Sequence, residues 1–162
     1  MFRGIDTTKL NSIQKFMFII KGKLLSFIIK NSNKTFFCRL INFFYREKTK
    51  IYFEDNLYKK NLGKIGIISY PNKRILRMVN NFDLQLEKLY SSYCLNYIDF
   101  KENDIVIDCV ANVGELNMSL KFRNKNINYI GFEPDIETFN CLKLNNPEPR
   151  NTFYNQALSN KT

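Results

Sequence analysis

The chain has 162 residues, of which 44% are hydrophobic and 25% charged, with a formal net charge of +10 and no histidine. This length suits one domain with a core and an appendage, and excludes two domains of ordinary size. The missing histidine excludes a Ser-His-Asp triad. Four widely separated cysteines without a C-x-x-C pair predict a reduced, cytoplasmic chain that holds no metal.

The positive charge is concentrated in the first fifty residues. Residues 1–50 hold 11 Lys and Arg against 2 acids, a net charge of +9, whereas residues 51–162 hold 14 against 13. Charge in a tail and charge on a folded domain have different implications for a polyanionic partner. The nearly neutral remainder therefore predicts no nucleic-acid partner.

Residues 1–50 predict a basic amphipathic helical arm, because apolar residues recur at steps of three and four with lysines between or beyond them. The first stripe is Leu10, Ile13, Met17, Ile20, Leu24 and Phe27. A second helical segment would present Phe36, Phe37, Leu40, Ile41 and Phe44. Lysines interrupt each apolar run before the roughly 20 residues that cross a bilayer, and no signal-peptide cleavage site follows. Neither a transmembrane span nor secretion is predicted.

Two interpretations of this arm are open. In the first, the stripe lies on an anionic membrane surface, where apolar burial and the attraction of Lys and Arg for lipid headgroups add together. In the second, the stripe packs against the rest of the protein or a second copy, which is the commoner role of amphipathic helices. Residues 8–45 are therefore expected to mediate peripheral membrane contact or self-association.

Residues 51–100 are expected to lead into the main domain with a β-hairpin and a helix. In residues 64–79, two β-branched runs flank a turn-forming Pro71-Asn72 pair. From Asp83 a period of 3.6 predicts a helix that ends near Ile98. Its inward face would hold Leu86, Leu89 or Tyr90, Tyr93 and Tyr97.

From residue 105 onward, short apolar runs alternate with helical segments. The runs are IVID, NYIGFE and TFYNQAL, and the helices are predicted over residues 116–122 and 136–145. The second helix would face inward through Phe139 and Leu142, with Leu144 as a further candidate. Strands that are apolar on both faces and joined by single helices indicate a parallel sheet. This βαβαβ unit is one half of a doubly wound nucleotide-binding fold.

In such a fold the ligand binds beyond the carboxyl ends of the strands, between the turn after the first strand and an acid that ends the second. Here these are residues 109–114 and Glu133, which lies 19 residues beyond Gly114. The spacing suits an adenosine-containing cofactor, and a dinucleotide is disfavoured because a G-x-G-x-x-G turn needs three glycines. A plain strand-turn-helix with a surface glutamate is the alternative.

The segments VIDCVANVGE, YIGFEPDIETFNCLKLN and NTFYNQALSNKT resemble the FkbM-type family of S-adenosylmethionine-dependent methyltransferases. That family has a D-x-G-A-N-x-G turn, an F-E-P strand end, a helix ending in L-x-x-N and an A-L-S-[DN] segment, in this order. The resemblance covers residues 87–162 and implies a Rossmann-like class I methyltransferase fold, of which the first βαβαβ half is present. It implies S-adenosyl-L-methionine as cofactor and methyl transfer to a hydroxyl of a sugar or another small-molecule or glycan acceptor.

The resemblance also implies cofactor-binding residues, while it assigns no catalytic base and no metal ligand. They are Asp108, Val110, Ala111, Asn112, Gly114, Glu133, Pro134, Asp135, Gln156 and Ala157. Asp108 would order the loop, and the residues up to Gly114 would run beneath the methionine part. Glu133 would accept hydrogen bonds from the ribose hydroxyls. Phe132, Pro134 and Asp135 would border the adenine, whose far edge Gln156 and Ala157 would close.

Two departures from the family pattern change the expectation. Val110 replaces the first glycine of the turn, and a β-branched residue forced to positive φ would cost about 1–3 kcal/mol. A rearranged turn or weaker cofactor binding is therefore predicted. The family's later strands, which carry most of the acceptor pocket, have no counterpart in this sequence. We expect three segments: an arm (1–50), a hairpin and helix (51–100) and a truncated cofactor-binding half (101–162).

Three hypotheses for the function follow. The chain is a fragment of an S-adenosylmethionine-dependent methyltransferase, an inactive or shortened descendant of one, or a membrane-surface or assembly module led by its basic arm. An edge strand without a neighbour would favour association or instability in the first two cases.

Overall fold

The computed structural model describes residues 11–45, 49–79, 81–123 and 126–159. Two helices come first, α1 (Ser12–Asn31) and α2 (Lys34–Phe44), followed by the strands β1 (Ile51–Glu54), β2 (Leu57–Asn61) and β3 (Ile67–Tyr70). Helix α3 (Phe82–Ser92) precedes a βαβαβ unit. That unit consists of β4 (Ile105–Asp108), α4 (Glu115–Phe122), β5 (Asn128–Phe132), α5 (Ile136–Asn145) and β6 (Asn151–Tyr154).

Helix α1 forms where the apolar spacing predicts a helix, but the predicted stripe does not pack. The helix begins with a capping box, in which Asn11 Oδ1 accepts from the Gln14 amide at 2.8 Å and Gln14 Oε1 accepts from the Asn11 amide at 3.0 Å. Its buried residues are Leu25 and Ile28. The described stripe residues, Ile13, Met17, Ile20, Leu24 and Phe27, are all exposed, and Leu10 lies outside the described residues.

Helix α2 follows the prediction more closely. Phe37 and Ile41 are fully buried, whereas Phe36 is exposed. The side chain of Asn42 forms two hydrogen bonds with the backbone of Ile51. Asn42 Nδ2 donates to the Ile51 carbonyl at 2.7 Å, and Asn42 Oδ1 accepts from the Ile51 amide at 3.0 Å. This pairing fixes the helix against β1, the first strand of the antiparallel sheet.

The hairpin predicted over residues 64–79 is wrong in its second half. Strand β3 ends at Tyr70, and the following residues form a 3₁₀ helix, Lys73–Met78, begun by Asn72, whose side chain accepts from the Arg74 amide at 3.0 Å. The β-branched Ile75 turns into the core as part of this helix and is fully buried. Burial therefore overrides strand propensity in this segment.

The antiparallel sheet has the order β1-β2-β3. Strands β1 and β2 are joined by Asp55 and Asn56, whose φ values of 52° and 60° suit the tight two-residue turn of a hairpin. Strand β2 pairs with β3 through Tyr58 opposite Tyr70 and Lys60 opposite Ile68. The hairpin connections of this sheet therefore lie at residues 55–56 and 62–66, and the segment after β3 leads into the 3₁₀ helix instead of a further strand.

Helix α3 is shorter than predicted. It ends at Ser92, and Cys94 then adopts a left-handed conformation with φ of 57°. Leu86 and Tyr90 are buried as predicted, but Tyr93 and Tyr97 are 55% and 89% exposed. The break redirects the chain, so these two tyrosines leave the face on which the uninterrupted helix would have placed them.

The parallel sheet has the order β4-β5-β6, with Asp108 opposite Gly131 and Phe132 opposite Tyr154. The predicted bounds of α5 are confirmed, and α4 begins one residue earlier than predicted. On α5, Phe139 and Leu142 are buried as predicted, whereas Leu144 is 61% exposed. The structure is thus a mixed α/β protein with a three-stranded parallel sheet.

One face of the parallel sheet is open, contrary to the expectation from its apolar strands. Ile105 and Ile107 are 63% and 59% exposed, although they alternate with the less exposed Val106 and Asp108. Crossover connections between parallel strands are right-handed. Because the strand order β4-β5-β6 advances in one direction, both crossover helices, α4 and α5, lie on the same face of the sheet. No other element of the described residues covers the opposite face.

A common core joins the antiparallel sheet to the parallel unit. Ile68 and Tyr70 of β3 belong to the same buried cluster as Val113, Met118 and Cys141. A separate cluster beside it contains Tyr90, Leu116, Leu120 and Tyr129, among others. Val113, in the turn after β4, is therefore packed in the same core as side chains of the antiparallel sheet.

The cysteines are unpaired and, in the described part of the chain, no cluster of acids and cysteines is arranged for a metal ion. Cys38 and Cys141 are buried, and this burial raises the pKa of each thiol to about 11. Across the described residues, no helix combines the length and the apolarity that crossing a membrane would require.

Candidate functional site

The turn between β4 and α4 has a defined backbone conformation. The Gly114 amide donates to the Ala111 carbonyl at 2.9 Å. Asn112 and Gly114 are left-handed, with φ of 51° and 87°, and the Asn112 side chain accepts from the Val113 amide at 2.9 Å. Asparagine and glycine are the residues that best tolerate this conformation, so the sequence supports a tight turn here.

Asp108 fixes the start of the turn. Its Oδ1 accepts from the Val110 amide at 3.2 Å and its Oδ2 from the Tyr129 hydroxyl at 2.6 Å. Burial, and then the charge of Asp108, raise the pKa of Tyr129, so the hydroxyl remains a donor at neutral pH. The loop-ordering role implied for Asp108 therefore has a physical basis in two hydrogen bonds.

Glu133 joins the turns that follow β4 and β5. It is 6% exposed, and its Oε2 accepts from the Asn112 amide at 2.9 Å while its Oε1 accepts from the Asp135 amide at 3.0 Å. The Ala111 amide also donates to the Phe132 carbonyl at 2.9 Å. The acid at the end of the second strand thus lies against the turn after the first.

Asp135 begins α5. Its carboxylate accepts from the Thr138 amide at 2.8 Å, and hydrogen bonds from the Thr138 side chain and backbone lower the pKa of Asp135. Next to it, the rings of Phe132 and Tyr154 stack at 5.0 Å with an interplanar angle of 19°. Residues assigned to the adenine border therefore include a helix cap and one member of an aromatic pair.

Asn155 connects the end of β6 to the same edge. Its Nδ2 donates to the carbonyls of Glu133 at 2.8 Å and Pro134 at 3.0 Å. Sequence reasoning assigned Gln156 and Ala157 to this edge instead. Both are exposed and follow Asn155 in a segment without regular secondary structure.

Val110 does not adopt the left-handed conformation that its position in the motif suggested. It is absent from the positive-φ residues, which in this turn are Asn112 and Gly114. Its side chain is 71% exposed. Val110 therefore carries none of the strain that a forced left-handed conformation would impose, since the left-handed positions of this turn fall on residues that accept them.

Substituting glycine for Val110 is consequently expected to destabilise the protein by about 0.5–1 kcal/mol, because glycine adds conformational entropy to the unfolded chain and relieves nothing in the fold. Urea denaturation measures this change. Val110→Ala is the matched control and should stay within about 0.5 kcal/mol of the native chain. A gain in stability for Val110→Gly would mean that Val110 is strained after all.

Buried asparagines at the end of α5 and in α4 form hydrogen bonds next to the turn. Asn145 accepts from the Ser69 amide at 2.8 Å and donates to the carbonyls of Ser69 at 2.9 Å and Val113 at 3.0 Å. Asn146 accepts from Asn117 Nδ2 at 3.0 Å. Asn145 is the last residue of the L-x-x-N motif, to which the resemblance assigned no role. That motif was the available signal.

Glu115 is held by two residues of the preceding segment. Its carboxylate accepts from the buried Tyr70 hydroxyl, and its Oε2 lies 3.5 Å from Arg77 Nη1. Burial, and then the charge of Glu115, raise the pKa of Tyr70 well above its usual value. The first residue of α4 is thereby anchored to β3.

No family model matches the chain, and no curated protein matches it. Among solved structures, the chain is similar to the crystal structure of P. horikoshii TYW2 in complex with MeSAdo, with 20% sequence identity and a TM-score of 0.42. The match covers 76% of this chain and 48% of that one, so this chain spans about half the length of that protein. A likeness at this TM-score says nothing about ligand or reaction.

Proposed function

We propose that the chain contains the S-adenosyl-L-methionine-binding half of a methyltransferase. The observation that carries the proposal is the hydrogen bond between Glu133 Oε2 and the Asn112 amide, at 2.9 Å. It joins the two features that bind adenosine in a doubly wound fold, the turn after the first strand and the acid after the second. The motif resemblance to the FkbM-type family supports the same cofactor.

The residues present fit such a cofactor. Each Glu133 oxygen accepts one backbone N–H, and a carboxylate oxygen has a second lone pair that a ribose hydroxyl could use. Helix α4 has no side-chain cap at Gly114. Its first N–H groups and the positive end of its dipole suit the carboxylate of the methionine part.

S-adenosyl-L-methionine would supply a sulfonium methyl group to a hydroxyl oxygen. This chain's residues would align the donor and exclude water, with Asp108 and Asn145 keeping the turn in place. The acceptor class, a sugar or another small-molecule or glycan hydroxyl, and membership of the FkbM-type family rest on the motifs alone. Glu115 and Asp135 already have hydrogen-bond partners, so neither is proposed as the general base.

Titration calorimetry of the full chain with S-adenosyl-L-methionine tests the proposal. We expect saturable binding at one site, and at least about tenfold weaker binding in Glu133→Ala, because hydrogen bonds to charged groups contribute about 1.5–3 kcal/mol. Glu137→Ala removes an exposed carboxylate from α5 and is the matched control. It should bind like the native chain.

Glu133→Ala also leaves two backbone amides without their acceptor, so circular dichroism must show that the variant is folded before its affinity is compared. A flat titration of the folded native chain would contradict the proposal and favour an inactive descendant that keeps the fold. Saturable binding that Glu133→Ala leaves unchanged would place the cofactor elsewhere.

A further inference from the structure

Helix α1 carries a second apolar face that the described residues do not cover. Seven apolar residues of the helix are 44–72% exposed, and six of them share one side: Ile13, Phe16, Met17, Ile20, Leu24 and Phe27. Isolated exposed apolar residues are ordinary, but a contiguous patch marks an interaction surface. We call these six residues the outer face of α1.

Helical geometry separates the outer face from the side that packs. At about 100° per residue, the six positions fall within an arc of about 100°. The buried Leu25 and Ile28, with the half-buried Phe18 and Ile29, centre on a direction about 130° away. The helix therefore packs through one side and presents another apolar side outward.

Lysines border the outer face on both edges. Lys23 and Lys30 lie within about 40° of one edge and Lys21 within about 40° of the other, and all three are exposed. Residues 11–45 contain six Lys and Arg and no acid. Long lysine side chains can hold their charge at lipid headgroups while their stems follow an apolar surface.

We propose that α1 lies in the plane of an anionic lipid surface, with its outer face in the headgroup–acyl boundary and its bordering lysines at the headgroups. An apolar face flanked by cations, on a helix of about 30 Å, has the geometry of interfacial helices. The outer face continues into a groove of about 540 Å³ against α2, lined by Met17, Phe18, Leu24 and Phe44 among others.

A lipid surface fits this face better than a second copy of the chain does. Two copies pressed together through their outer faces would bring their lysine borders close, and residues 11–45 offer no acid to neutralise them. Anionic lipids supply that charge directly. The inference is independent of the proposed cofactor site.

Vesicle flotation of the full chain tests it, with phosphatidylcholine vesicles and with vesicles that also contain phosphatidylglycerol. We expect flotation with the anionic vesicles and little with the neutral ones. The variant K21E/K23E/K30E should lower the partition coefficient at least about 100-fold, since each lysine contributes roughly a factor of five near an anionic surface. K88E/K101E/R150E changes the net charge equally at exposed positions elsewhere and should reduce binding much less.

A second variant, F16S/I20S, removes apolar area from exposed positions and should also abolish flotation without unfolding the protein. Absence of flotation in the native chain, equal binding to both vesicle types, or equal losses in the two lysine variants would overturn the proposal. The proposal would also be overturned if light scattering showed that the native chain is a dimer, that F16S/I20S dissociates this dimer, and that the dimer does not bind vesicles. Binding of S-adenosyl-L-methionine should be unchanged in both α1 variants, so the two proposals fail separately.

Discussion

Replacing Gly114 by alanine is expected to destabilise the protein by about 3 kcal/mol. Gly114 has φ of +87°, and a Cβ there would lie 1.9 Å from Asn146 Nδ2 and 3.0 Å from Leu142 Cδ1. A left-handed conformation costs an alanine about 1–2 kcal/mol, and overpacking adds about 1–3 kcal/mol. Moving the Asn146 side chain away is energetically costly, because it is 1% exposed and its side-chain amide is hydrogen-bonded to the Asn117 side chain and the Leu142 carbonyl.

Urea denaturation of Gly114→Ala and Gly63→Ala separates the two contributions. Gly63 is also left-handed, with φ of +69°, but nothing lies within 4 Å of its added Cβ. The control should therefore lose only the conformational part, about 1–2 kcal/mol. Equal losses in the two variants would show that the contact with Asn146 is relieved by local movement.

Local patterns predicted the parallel unit best. The bounds of α5 follow from Asp135, whose side chain accepts the Thr138 amide, and from an apolar period that continues to Leu142. The segment before it was predicted less well, because Cys94 interrupts a helical pattern by adopting a left-handed conformation. Nothing in the spacing of the tyrosines around Cys94 signals that break.

The site shows the same division between local and distant information. The motif pointed to a turn, but it did not tell which residues would be left-handed, and the structure gives that conformation to Asn112 rather than Val110. The hydrogen bonds that connect Asn145 to strand β3 could not be predicted, since Ser69 and Asn145 are 76 residues apart in the sequence. Sequence spacing alone does not pair residues at that distance.

Exposed apolar faces mark a further limit. The alternating pattern of β4 and the helical period of α1 each predicted an apolar side. Neither pattern shows which part of the protein packs against that side. Ile105 and Ile107 are exposed on the sheet, and the outer face of α1 is exposed on the helix. An apolar pattern indicates burial against some partner, and only the fold shows whether the described chain supplies it.

Asn145, in α5, links strand β3 to the turn that follows β4. Its side chain forms two hydrogen bonds with the backbone of Ser69 in β3 and a third with the Val113 carbonyl in the turn. All of these groups are buried or lie beside buried residues. Alanine at this position would leave the Ser69 amide and carbonyl without this partner, while the Val113 carbonyl would keep its longer contact with Asn146 Nδ2 at 3.5 Å.

We expect Asn145→Ala to destabilise the protein by about 3–5 kcal/mol, since each buried group left unsatisfied costs about 1–3 kcal/mol. Urea denaturation measures the loss, and Asn140→Ala, an exposed position on the same helix, should lie within about 0.5 kcal/mol of the native chain. Hydrogen exchange tests the mechanism, because the Ser69 amide loses its acceptor and should exchange faster than its neighbours in β3. Unchanged protection of that amide would mean that water or another side chain replaces Asn145, and the stability loss should then shrink accordingly.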